Sequence, residues 1–117
     1  MSLTDTYSMV AVSGSVGVTT GTSPVTMISD PGTDPSFVID KENLSVLNRD
    51  TASVTITITV AGSPTAVYDT VTLSSGDRYT NPSKIVVGNG QTLTIVLAGA
   101  VTTTEPSWVV SHYRIVD

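Results

Sequence analysis

A chain of 117 residues without cysteine is one domain by length, and it excludes disulfides and thiolate metal sites. Its net charge is −5 and its 5 basic residues are scattered, which excludes the clustered Lys and Arg that neutralise nucleic-acid phosphates or grip an anionic membrane. Charged residues make up 13%, well below the ~25% of ordinary soluble domains, and threonine and serine take over much of the polar surface.

Met1-Ser2-Leu3-Thr4-Asp5 has no basic stretch ahead of an apolar core, so no signal peptide is read there. The longest apolar run is far short of the ~20 residues of a membrane span. Residues 1–6 read as a loose leader. Tyr7–Val12 reads as a strand, broken at Ser13-Gly14-Ser15-Val16-Gly17 and resumed over Val16–Thr20, and Val25–Ser29 as another. This Gly/Ser/Thr-rich portion is either an ordered hairpin or an arm that orders on a partner.

Asp30-Pro31-Gly32-Thr33-Asp34-Pro35-Ser36 is the clearest loop, because neither proline can donate to a sheet ladder. It divides residues 1–35, the N-terminal portion, from residues 36–117, the main sheet body, within one domain.

Phe37–Asp40 and Asn43–Asn48 are expected strands, the second with Leu44 and Val46 in phase. Ser53–Val60 is the strongest signal: Val54, Ile56, Ile58 and Val60 alternate with Ser53, Thr55, Thr57 and Thr59. A period of two puts the apolar set on one face, and Cβ branching suits all of them to a pleated surface. Val67–Leu73 follows with Val67, Val71 and Leu73 in phase, then a tight turn with Gly76 at positive φ and a brief pairing over Asp77–Tyr79. Lys84–Val87 leads into Gly88-Asn89-Gly90, where Asn89-Gly90 favours a primed two-residue hairpin turn. Gln91–Ala98 carries Leu93, Ile95 and Leu97 on one face, and Trp108–Val116 is the last strand. Eight to ten strands spaced by turn signals, with no helical periodicity, imply an antiparallel sandwich or barrel.

The chemistry-bearing residues are sparse. Asp30, Asp34, Asp40 and Glu42 lack a calcium-loop spacing and read as turn residues. His112, the single histidine, has no Gly-x-Ser-x-Gly elbow to serve and reads as a packed structural side chain. Gly14, Gly17 and Gly21 match neither the dinucleotide fingerprint nor the phosphate loop. Asn43-Leu44-Ser45 fits a glycosylation sequon, which without a secretion signal is noise. Trp108, Tyr113, Tyr68 and Tyr79 serve as core, as interface anchors, or as a sugar platform. No catalytic, cofactor or metal residues are expected.

From Asn43 onward the order of motifs is distinctive. A strand over Asn43–Asp50 leads into the Thr-alternating strand, then Asp69-Thr70-Val71-Thr72-Leu73-Ser74-Ser75-Gly76-Asp77, then Ile85–Ile95 around Gly88-Asn89-Gly90, then Ala98–Pro106 and an aromatic strand. This order resembles small β-sandwich accessory virion proteins of tailed bacteriophages, of the capsid or the head–tail structure. The resemblance covers about two-thirds of the chain and leaves residues 1–35 outside. It implies an Ig-like or jelly-roll-like antiparallel β-sandwich, a non-enzymatic role as capsid decoration or cement, and a location in the virion after synthesis in the host cytoplasm. Implied partners are the major capsid protein or other virion proteins, with self-association as a dimer or trimer. The expected contact residues are Leu3, Tyr7 and Met9 in the arm, with Pro31, Pro35 and Trp108 in the loops. A neck, tail or baseplate component and a host-surface glycan-binding module are the alternatives.

Overall fold

A computed structural model describes residues 8–19, 21–32 and 36–116. Those residues form ten β-strands and no helix. They are β1 (Ser8–Val18), β2 (Val25–Ile28), β3 (Phe37–Ile39), β4 (Leu44–Leu47), β5 (Val54–Gly62), β6 (Ala66–Leu73), β7 (Arg78–Thr80), β8 (Ile85–Val87), β9 (Gln91–Leu97) and β10 (Ser107–Val116).

Two antiparallel sheets hold these strands. β10 has β1 along one edge, in register from Ser8 opposite Val116 to Val18 opposite Ser107, with a bulge between Val12 and Ser15. Along its other edge lie β4, beside Ser107–Val110, and β3, beside Tyr113 and Arg114. β3 and β4 are therefore two halves of one interrupted strand. β8 pairs with β3 and β7 with β4, which makes a second interrupted strand. The facing sheet runs β2-β9-β5-β6. Counting each interrupted strand once, the ranks in chain order are 1-8-3-6 against 2-7-4-5. That is the double Greek key of a jelly roll. Of the two sandwich types expected, the pairing selects the jelly roll.

The interruptions lie side by side and share one residue. Asn81 is fully buried. Its Oδ1 accepts from the Leu44 N–H at 2.9 Å, and its Nδ2 donates to the carbonyls of Asp40 and Ser83, each at 2.9 Å. The Asn81 carbonyl accepts from the Glu42 N–H at 3.0 Å, across a turn that puts Glu42 at φ 69°. Backbone groups that a continuous ladder would have paired are thus satisfied by one carboxamide.

The core sits between the sheets. Ile56, Ile58, Leu93, Ile95, Leu44 and Val46 are all at 0% exposure, as their alternation requires. Each such side chain contributes about 1.5–3 kcal/mol on leaving water. Trp108 joins them at 5% exposure because it shares the inward parity of Val110 on β10. Gly17 lies opposite Trp108 in the ladder, and a Cβ there would meet the indole Cε2 at 2.8 Å.

Two local expectations are corrected. In β6, Val71 and Leu73 face inward, but Val67 is 62% exposed. A bulge at Tyr68 shifts the register between Ile58–Asp69 and Thr59–Val67 and reverses the parity. At Gly88-Asn89-Gly90 the turn forms, with the Gln91 N–H donating to the Gly88 carbonyl at 3.0 Å, but it is not a hairpin. β8 belongs to one sheet and β9 to the other. Only Gly90 has positive φ, at 84°, whereas a type I′ turn needs it at both central positions. The turn is a type II-like corner between sheets.

Candidate interaction surfaces

Since β5 turns Val54, Ile56 and Ile58 inward, it turns Thr55, Thr57 and Thr59 outward. Register extends this row across the sheet. Thr72 lies opposite Thr55, Thr70 opposite Thr57, and Thr94 opposite Thr59, with Thr26 of β2 on the far side of Thr94. Neighbours stand about 4.8 Å apart between strands and roughly 6.7 Å apart along them. The result is a grid of hydroxyls and methyls on the outer face of the β5 sheet.

Five of these hydroxyls are bonded within the sheet. Thr55 and Thr72 share a hydrogen bond of 2.7 Å and Thr57 and Thr70 one of 3.2 Å, while the Thr94 hydroxyl donates to the Thr59 carbonyl at 3.4 Å. Asp69 is the only charged residue in the four strands. It lies opposite the buried Ile58, on the inner side, and accepts from the Tyr79 hydroxyl at 2.9 Å. Burial, reinforced by that bond, pushes the Tyr79 phenol well above its ordinary range. The grid is therefore uncharged on a molecule of net charge −5.

The outer face of the β10 sheet is more mixed. Val86 and Val109 are 49% and 46% exposed. Arg78 Nη1 donates to Ser45 Oγ at 2.6 Å, and the Tyr113 hydroxyl donates to Asp40 Oδ1 at 3.0 Å. Fixed charges and their partners break up this surface.

Buried polar groups elsewhere act as clamps. The Asp50 side chain accepts from the N–H groups of Thr102 at 2.8 Å, Thr103 at 2.7 Å and Thr104 at 3.3 Å, and from the Thr103 hydroxyl at 2.9 Å. These bonds, with that from Thr102 foremost, hold its carboxyl far below the usual carboxylate range despite the opposing effect of desolvation. Asn48, also buried, donates to the carbonyls of Ala52 and Leu73 and accepts from the Asp50 N–H. Together they lock the long β9–β10 loop to the end of the sandwich.

His112 is 9% exposed and packs on Phe37 with ring centroids 4.9 Å apart. Desolvation lowers its pKa, so the ring is neutral near pH 7. Its Nδ1 has no hydrogen-bond partner among the described residues. No group of three His, Cys, Asp or Glu side chains able to hold a metal occurs among the described residues. Asp30 Oδ1 instead accepts from the N–H groups of Gly32 at 2.8 Å and Gly90 at 3.0 Å.

Of the contact residues expected from sequence, Met9, Pro31 and Trp108 fall within the described residues. Leu3, Tyr7 and Pro35 lie outside the described residues. Met9 pairs with Ile115 in the β1–β10 ladder. Pro31 is buried within the chain, and Trp108 is a core side chain rather than a surface anchor. Tyr79 is buried as well, which removes two of the four rings proposed for a sugar platform. The surface that sequence reading missed is the threonine grid. Its row on β5 was visible as alternation, but its extension across four strands depends on non-local register.

The arrangement defines a jelly-roll sandwich with one broad, uncharged outer face. No protein-family model and no curated protein matches the chain in sequence. Among solved structures it is similar to a chain of the disulfide-linked pili that form Bacillus endospore appendages, with a TM-score of 0.52 and 13% identity, covering 95% of this chain and 89% of that one. It is also similar to a chain of the Gx strain of infectious bursal disease virus, with a TM-score of 0.46 and 14% identity, covering 93% of this chain and 32% of that one. For T=1 particles derived from the bursal virus the TM-score is 0.40 at 16% identity, covering 93% of this chain and 30% of that one. These likenesses concern the fold. This chain has no cysteine with which to link subunits as those pili do.

Proposed function

We propose that this chain is a non-enzymatic structural subunit that works by burying its β5-sheet face against neighbouring subunits of a larger assembly. The observation that carries the reading is the charge-free threonine grid. Stripping water from fixed charges at an interface is costly, and interface centres are depleted in them. A face without fixed charge, on which Thr55 bonds Thr72 and Thr57 bonds Thr70, avoids most of that cost.

The finer reading is a decoration or cement protein on the capsid of a tailed bacteriophage, bound to the major capsid protein. The order of its strand and turn motifs supports this. There it adds buried area across joints between capsomers, so that a joint opens less readily under internal pressure. Leu3 and Tyr7, ahead of β1, add a second point of attachment in this proposal.

The test is to place charge on the grid. Thr57→Arg with Thr94→Arg puts two guanidinium groups at its centre. The variant is expected to fold as the parent does and to lose occupancy on particles. Undiminished occupancy would remove the grid from the account.

A further inference from the structure

Asn89-Gly90 is the single Asn-Gly pair in the chain. Such a pair carries an intrinsic reaction. The glycine amide nitrogen gives up its proton and attacks Cγ of the asparagine. The bond from Cγ to Nδ2 breaks, ammonia leaves with a proton, and a succinimide remains. Water then opens that ring to aspartate or isoaspartate. Glycine favours the reaction because it has no side chain to obstruct the attack, and a Cβ built on Gly90 would indeed meet nothing within 4 Å. Asn89 is exposed. Sequence and exposure therefore both favour reaction at this site.

One contact opposes it. The Gly90 N–H donates to Asp30 Oδ1 at 3.0 Å, across 60 residues of sequence. The same oxygen accepts from the Gly32 N–H at 2.8 Å, which fixes the carboxylate in place. The Gly88 N–H donates to Gln91 Oε1 at 2.9 Å and the Gln91 N–H to the Gly88 carbonyl at 3.0 Å, which fixes the turn. An amide nitrogen that must become anionic to attack is thus held, still protonated, against a negative charge.

We infer that Asn89 is a latent deamidation site and that Asp30 guards it by retaining the proton on the Gly90 nitrogen. Opening to isoaspartate would insert a methylene into the backbone of the corner joining the two sheets. Either product would put a carboxylate where residue 89 carries a neutral carboxamide. This inference is independent of the assembly proposed above.

The test incubates the full chain at neutral pH and follows ammonia release and isoaspartate at residue 89 by peptide mapping. A synthetic peptide spanning residues 85–95 gives the unguarded rate, and Asn89→Gln identifies the signal from this site. Losing a charge-assisted hydrogen bond is expected to speed Asp30→Ala about tenfold over the parent, toward the peptide rate. Asp30→Asn, which keeps an acceptor without the charge, is expected to fall between and serves if the alanine variant unfolds. If both variants react at the parent rate, Asp30 is a bystander. If they react more slowly, the carboxylate acts as a base. Either result overturns the inference.

Discussion

Replacing Asn81 by alanine tests whether one carboxamide holds the two interrupted strands together. In the folded chain it satisfies the Leu44 N–H and the carbonyls of Asp40 and Ser83. Alanine leaves all three without that partner. The bond to the Leu44 N–H is buried, and orphaning such a donor costs about 1–3 kcal/mol. The two carbonyls are partly buried, within reach of water, and cost less, about 0.5 kcal/mol each. The sum is about 3 kcal/mol, a large share of the 5–15 kcal/mol typical of a domain. For a chain of this size that is a fall in Tm of roughly 12 °C. Urea titration with an unchanged m value and calorimetry would measure it. Asn81→Asp should be destabilising too, because it keeps an acceptor for the Leu44 N–H but turns an oxygen toward two carbonyls. A loss below about 1 kcal/mol for the alanine variant would show that the breaks are held by the ladders alone.

Asp50 should make the fold acid-sensitive. Its folded pKa is depressed, so the stability it contributes is complete above its ordinary value of 3.8 and drains away as pH falls toward the folded value. Asp50→Asn should remove that part of the pH dependence in acid titrations followed by circular dichroism, and a parental acid slope would contradict the clamp. Gly17→Val should collide with the Trp108 ring, costing about 1–3 kcal/mol and altering tryptophan emission. Parental stability would show that β1 can move aside. Thr57→Arg alone should change folding stability by no more than ~0.5 kcal/mol, since its side chain is on the outer face. A larger loss in thermal melts would mean that the grid serves the fold itself rather than a neighbour.

Much of this fold was legible where apolar residues kept strict alternation. Val54-Thr55-Ile56-Thr57-Ile58 and Leu93-Thr94-Ile95 each went inward and outward as their period dictates. The bulge at Tyr68 leaves no mark in composition, and it turns Val67 outward while Val71 stays inward. The turn at Gly88-Asn89-Gly90 was recognisable as a turn. That it joins two sheets rather than one hairpin is a fact of topology, invisible to a window of four residues. The jelly-roll order was hidden for the same reason, since β10 meets β1, β4 and β3 from far away in sequence. The clamps at Asn81 and Asp50 look like ordinary loop residues. Their partners include Leu44, 37 positions away, and Thr102, 52 positions away. Trp108, expected among the loop contacts, is carried into the core by its inward parity on β10.

The central claim is that the outer face of the β5 sheet is covered by neighbours when the chain is at work. Hydrogen exchange and covalent labelling of purified phage particles carrying the chain, compared with the free protein, measure this directly. The account predicts protection concentrated on β5, β6 and β9, with a copy number that follows the lattice of the shell. Equal labelling of that face in free and particle-bound chains would contradict it.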